Sequence, residues 1–385
     1  MEGTLLDQAA QTLKEELNES PKAQTENDET QERGDRTMKK IVTRMGDGYL
    51  TDMTESELKK DLENGTMDAA TKGKIPSLSE DELRHLFEIF SNPSRFVSVE
   101  PGNEVILSFD GGTHKIYRLG VNTGRIHNFQ LMERAIGADT METGHLDYCF
   151  KAAKTLIFEE QQELEQALLV TMLPIFYGAM PNLGVYSQPD GPFPNPAELL
   201  PQGKIKEARA AQEEAVEMAV RDMVSVATSL YEVGADGINF DTTGAAGDPD
   251  FLAALRATRI LKEKYPEMCV ELGMSSEFVL GMHGELEFEG VRLAGLYPQD
   301  QMKVAEKAGV TIFGPAINSV TNKSCAWNVA RAVTFVKPCV ERGRLPIHAN
   351  MGMGVGGTPV AEYPPADAVS RASKAMVEIT RLDGL

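Results

Sequence analysis

The stretch Gly234–Asp248, GADGINFDTTGAAGD, constrains the fold of this chain more than any other. A long helical pattern runs into Gly234, and Ile238 to Phe240 is a short apolar run of the kind that forms a buried strand. A loop of small residues follows. Asp248-Pro249 then supplies a capping carboxylate and a proline in the first helical turn. The stretch therefore predicts one helix-strand-loop-helix unit of an α/β protein. In a parallel sheet Asp241, Thr242 and Thr243 fall at the carboxyl end of the strand, where such folds place their chemistry. A tight turn made of small residues, with no chemical role, is the plainer reading of the same loop.

The same alternation extends over residues 131–385. Strands are expected at Ile136–Met141, Leu168–Tyr177, Gly237–Asp241, Cys269–Leu272, Thr311–Gly314 and Leu345–His348. Helices are expected at Lys204–Val233, Phe251–Tyr265, Gln299–Ala308, Cys325–Glu341 and Ala366–Arg381, with a hairpin at Leu286–Leu293. Repeated βα units without Gly-x-Gly-x-x-Gly at the first turn predict a (β/α)8 TIM-type barrel rather than a dinucleotide-binding sheet. By this count six strands are complete. Leu382-Asp383-Gly384-Leu385 echoes the entry into the central strand at Ala235-Asp236-Gly237-Ile238, so it reads as the start of a seventh in a C-terminally truncated barrel. Missing strands would leave open sheet edges.

Residues 1–40 are rich in Glu, Gln, Asn and Thr and are expected to be a disordered acidic tail, with Met38 as an alternative start. Capping boxes at Thr54-x-x-Glu57 and Ser79-x-x-Glu82 open two helices, to about Asn64 and Phe90. Phe96–Val99, Val105–Phe109 and Ile116–Leu119 suggest a small antiparallel sheet, so residues 41–130 are expected to form an α+β accessory layer. The formal charge of −20 argues against a nucleic-acid partner, which requires a neutralising basic surface. The four cysteines lack any CxxC or zinc spacing, and no stretch is long and apolar enough to span a bilayer. A cytoplasmic protein with reduced thiols, no membrane contact and a homo-oligomeric assembly is expected.

If the strands form a barrel, the residues after them share one mouth: Glu142 and His145; Tyr177, Met180 and Asn182; Asp241, Thr242 and Thr243; Glu271, Ser275 and Glu277; Asn318; and Asn350 with the loop Met351–Gly357. Glu271 is the sharpest, because a carboxylate inside Cys269-Val270-Glu271-Leu272-Gly273 is expected to be buried or half-buried, where it is either a functional acid–base group or a paired structural one. Asp241 is a second candidate, or a cap for its own loop. His283 sits among glycines, either as an acid–base group or simply exposed. Met351–Gly357 has glycines for close approach but no basic residue, which weakens a phosphate role and leaves packing at a protein interface. No metal-ligand set stands out.

Five segments, Phe176–Asn182, Gly234–Asp248, Val279–Gly284, Ala330–Phe335 and Met351–Gly357, together resemble the dimethylamine:corrinoid methyltransferases, from about Arg44 to Leu385. The resemblance implies pyrrolysine directly after Asp383-Gly384-Leu385, and a reaction that moves a methyl group from dimethylamine to cobalt(I) of a corrinoid carried by a cognate partner protein, with no cofactor bound directly by this chain. It implies that the imine of pyrrolysine takes up the amine while a nearby acid protonates the imine nitrogen. Strand-end position makes Glu271 the first candidate for that acid and Asp241 the second. Tyr177, Thr242, Glu277 and Asn350 are the expected substrate contacts, and His283, Met351 and Met353 the expected docking residues for the corrinoid protein. Asn350 departs from the family, which carries aspartate there. A non-catalytic fragment that still docks the corrinoid protein, and another barrel enzyme acting on a small amine, are the alternatives.

Overall fold

The computed structural model describes residues 40–109, 114–116, 121–123, 140–144, 158–170, 175–179, 183–281, 285–361 and 364–385. The described chain opens with a hairpin, β1 (Ile41–Arg44) and β2 (Leu50–Met53), followed by helices α1 (Glu55–Gly73) and α2 (Glu80–Ser91). Both helices begin at the capping boxes. Thr54 Oγ1 accepts from the Glu57 amide at 3.2 Å while Glu57 returns to the Thr54 amide at 2.8 Å, and Ser79 and Glu82 repeat the pattern. Each box satisfies two otherwise orphaned amides, and its cap contributes about 1 kcal/mol.

Helix α1 runs well beyond Asn64 because its buried stripe Leu58, Leu62, Gly65, Thr66 and Ala69 continues at helical spacing. Gly65 resembles a stop signal in the sequence but marks a close helix crossing. A methyl group at Gly65 would sit 2.3 Å from the Trp327 carbonyl oxygen, so only glycine lets α1 lie against helix α7, described below.

The main sheet is built from β3 (Leu107–Phe109), β6 (Thr140–Gly144), β7 (Ile175–Ala179), β8 (Gly237–Thr243), β9 (Cys269–Met274) and β12 (Ile312–Gly314), paired in that order and parallel throughout. Two small hairpins accompany it, β4 (His114–Ile116) with β5 (Val121–Thr123) and β10 (Glu287–Phe288) with β11 (Val291–Arg292). The helices are α3 (Phe158–Val170), α4 (Ile205–Glu232), α5 (Asp248–Lys264), α6 (Pro298–Ala308), α7 (Cys325–Arg342) and α8 (Ala366–Ala375), the last continuing as a π-helical segment at Met376–Thr380. Apolar side chains at alternate positions, Ile238, Phe240, Val270, Leu272 and Phe313, join the helices in a single core. No helix among the described residues is long and apolar enough to cross a membrane.

Three findings correct the sequence reading. Leu107–Phe109 belongs to the main parallel sheet beside β6, not to an antiparallel accessory sheet, and Phe96–Val99 forms no strand. A three-residue apolar run carries no information about which strand it will meet, and β6 lies far along the chain. Leu168–Val170 closes helix α3, and the strand starts only at Ile175. Finally, Gly384 bridges in parallel to both His348 and Ile106, and Ile347 bridges to Phe313. The pairings thus pass from β12 through Ile347 and His348 to Gly384 and on to the residue before β3, where open edges were expected. The expected tail, His145, Met180, Asn182, His283 and residues 136–139 lie outside the described residues.

Candidate active site

The positions that alternate with the core residues face the other side of the sheet. Asn239 on β8 is in register with Glu271 on β9, and these two side chains are 4% and 3% exposed. The buried face of a parallel sheet is ordinarily filled with branched aliphatics. Here it carries an amide and a carboxylate.

Glu271 Oε1 lies 2.5 Å from Nδ1 of His348. Burial pushes the imidazole towards its neutral form, yet the Glu271 charge and hydrogen bond, with smaller help from the Leu385 backbone and Asp241, raise its pKa above the usual histidine value. Glu271 Oε2 is buried and makes no hydrogen bond, and Asn239 Oδ1 is in the same state. Gly384 permits this arrangement, because a methyl group there would come within 3.0 Å of the His348 ring and 3.1 Å of the Ile106 carbonyl oxygen. The Leu385 amide donates to Ile106 at 3.0 Å. A buried acid–histidine pair is therefore packed directly against the backbone of residues 384 and 385.

Asp241 borders this pair. One of its carboxylate oxygens accepts from the Thr242 amide at 2.7 Å and lies across Gly273, where a methyl group would be 2.7 Å from it. The β8–β9 register shifts between Phe240 and Thr243, and Thr242 takes a φ of 54°, an uncommon conformation for a β-branched residue. The loop beyond is held by Asp250, whose carboxylate accepts from Ala246 at 2.6 Å and from Leu183 at 3.1 Å. Complete burial raises the Asp250 pKa to about 7, against the pull of those two amides.

Glu277 is committed elsewhere. It pairs with Arg331 at 2.5 Å and accepts from the Asn318 amide, while Arg331 also reaches Asp68 at 2.8 Å and the Asn318 carbonyl at 3.2 Å. This buried guanidinium ties helices α1 and α7 to the loop after β9. Asn350 is exposed two residues beyond His348, Met351 is half-buried, and Met353 is 55% exposed in a loop that turns through positive φ at Met353, Gly354, Gly356 and Gly357. The backbone of Tyr177 pairs with Ile238, but its side chain lies outside the described set.

The structure thus gathers Glu271 and Asp241 and sets Glu277 apart in an ion-pair network. It adds two residues the sequence reading passed over, His348 and Asn239. The signal for both was the period of two: a polar residue alternating with buried apolar ones in Ile238-Asn239-Phe240 and Ile347-His348-Ala349. Among the described residues no group of three or more His, Cys, Asp or Glu is placed to hold a metal ion.

A parallel α/β sheet with an acid–histidine pair at its inner face defines an enzyme-like architecture. The sequence model of the dimethylamine methyltransferase family matches residues 39–385, and the chain belongs to that family. Among solved structures the chain is similar to a chitinase from Chromobacterium violaceum, at 12% identity over 64% of this chain and 68% of that one, with a TM-score of 0.34. It is also similar to a Xanthomonas albilineans dihydropteroate synthase, at 13% identity over 71% and 83% with a TM-score of 0.31. A third is HydG, a maturase of the [FeFe]-hydrogenase, at 8% over 84% and 75% with a TM-score of 0.34.

Proposed function

We propose that this chain takes a methyl group from dimethylamine and passes it to cobalt(I) of a corrinoid held by a separate protein. In this reading it works in a (β/α)8 barrel whose last two positions are Ile347–His348 and Gly384, with pyrrolysine at the position after Leu385. The observation that carries the reading is the Glu271–His348 pair set against the Leu385 backbone, inside a chain of this family. A residue following Leu385 would begin beside an imidazole and a carboxylate with one oxygen uncommitted, which fits a side chain that needs a proton delivered to it.

Pyrrolysine supplies an electrophilic imine carbon for the amine, and the corrinoid supplies the methyl acceptor. The work of this chain is to position groups and to move one proton. His348 Nδ1–H holds Glu271 Oε1, which fixes the carboxyl plane and leaves Oε2 as the open atom through which the pair as a unit takes up and gives the proton. Asp241 lies beside the pair, and its negative charge favours the protonated ring of His348. A near-attack geometry set by packed strands accounts for most of the remaining rate. The exposed apolar side chains Leu280, Val320, Met353 and Val360, on loops after β9, after β12 and after His348, support docking of the corrinoid protein there.

Glu271→Gln in protein carrying pyrrolysine is expected to lower dimethylamine-dependent cobalt methylation about 10²- to 10⁴-fold, the usual weight of a general acid. A rate within a few-fold of the parent removes Glu271 from the reaction. Mass spectrometry of the tryptic peptide after Arg381 from native protein tests the other half: Leu382-Asp383-Gly384-Leu385 followed by any residue other than pyrrolysine ends this reading.

A further inference from the structure

A second concavity, used by no step above, lies between the turn at Leu183–Tyr186, the segment around Asn195, the first half of α4 and the loop after β8. It is half-enclosed and measures about 210 Å³. Leu183, Pro196, Ala215 and Pro249 give it apolar walls, Ser187 and Gln212 give it polar ones, and none of its lining residues among the described ones is ionisable. Gln212 is 7% exposed and Ser187 8%. Neither side chain has a hydrogen-bond partner among the described residues.

A nearly buried primary amide that no described group pairs with depends on whatever occupies the cavity it lines, because such groups are normally satisfied by protein or by ordered water. Gln212 offers a donor and an acceptor in one plane, and Ser187 adds a hydroxyl that serves as either. A charged guest would find no counter-ion on these walls. We infer that the cavity is a binding site for a small neutral carboxamide-type molecule, its C=O and N–H paired with the Gln212 amide and its short apolar part against Leu183, Ala215 and Pro249. The volume equals that of about seven water molecules at liquid density, which bounds the guest to roughly that many heavy atoms.

The site is joined to the loop that carries Asp241 and Thr242. Leu183 and Ala246 belong to two of its walls, and the carboxyl of Asp250 holds the amides of both. A guest that touches both walls therefore steadies the loop after β8. This inference stands whether or not the methyl-transfer reading does, because it needs neither pyrrolysine nor a corrinoid.

The test is titration of the 385-residue chain with acetamide, followed by saturation-transfer NMR and by amide exchange at residues 244–247. Saturable binding is expected, with a dissociation constant on the order of millimolar for so small a ligand, and slower exchange of the Ala246 amide when it is bound. Gln212→Leu, which removes an unpartnered polar group and so leaves folding intact, is expected to weaken binding about tenfold or more. Ala215→Leu, which fills the cavity without touching its polar groups, is expected to abolish binding. Acetate and dimethylammonium at equal concentration are expected not to compete. Absence of saturable binding, unchanged affinity in Gln212→Leu, or displacement by either ion overturns the assignment.

Discussion

In Glu271→Gln the imidazole of His348 keeps its burial and loses its carboxylate, so the pH dependence it gives to stability changes sign. In the parent chain Nδ1 stands 2.5 Å from Oε1 with the two side chains 13% and 3% exposed, and burial, the largest single influence, is outweighed by the Glu271 charge and hydrogen bond together with the Leu385 backbone and Asp241. A histidine whose folded pKa is raised contributes stability that is fully present below the unfolded value, near 6.5, and lost as pH rises through the folded value. With glutamine in place burial, the largest single influence, is opposed only by the smaller contributions of the Leu385 backbone and Asp241, so the folded value is expected to fall below the unfolded one and stability to be lost as pH falls instead. Two unit charges at about 4 Å and an effective dielectric of 20 attract by about 4 kcal/mol, and removing one member of a buried pair typically costs about 3–5 kcal/mol. Urea unfolding near pH 5.5 is therefore expected to show the variant about 3–5 kcal/mol less stable, and the gap is expected to narrow as pH rises past the folded pKa of the parent. The ring signals of His348, followed by NMR, are expected to titrate at lower pH in the variant. Parallel stability curves for the two proteins, or a variant ring that titrates at the same or higher pH, would refute the pairing as the source of the shift.

Two further outcomes follow from the groups around the site. Arg331→Met leaves the buried Glu277 carboxylate without its ion-pair partner, while Asp68 keeps Lys72, and is expected to cost about 3–5 kcal/mol in urea unfolding, with part recovered in the Arg331→Met, Glu277→Gln double variant. The raised pKa of Asp250, about 7, means the native state keeps a proton that the unfolded chain releases near pH 4. Stability from this group therefore falls as pH climbs from about 4 to about 7, by on the order of 4 kcal/mol, and Asp250→Asn is expected to flatten that slope in urea midpoints measured across the range.

The helices of the second half were legible because their signals are local. Asp248-Pro249 starts α5, Gly309 stops α6 in a left-handed cap, and the periodic apolar stripes between such marks fix the lengths to within a few residues. The capping boxes at Thr54 and Ser79 were legible for the same reason. The place of Leu107–Phe109 was not, since the pairing of a three-residue strand is decided by a distant partner. Of the candidate site, Glu271 could be found because a carboxylate in an apolar strand stands out. Glu277 was expected to contact substrate, but only the fold reveals Arg331 arriving from a helix more than fifty residues on. His348 was assigned to a strand and its alternation left unread, so the strongest interaction of Glu271 went unnoticed.

The pairing of Gly384 with Ile106 and His348 has a bearing on how the protein comes to fold. Ile106 and Gly384 are 278 residues apart, so their meeting closes a loop of about four fifths of residues 40–385. The entropy of that closure must be met before the contacts it allows contribute anything, which places it late among folding events and makes the route slow. The pairing of Gly384 with His348 spans a much shorter loop and needs no such closure, whereas the bond from the Leu385 amide to the Ile106 carbonyl does. A partly folded chain can therefore bring Glu271, His348 and Gly384 together before the Ile106 side of the pair is covered.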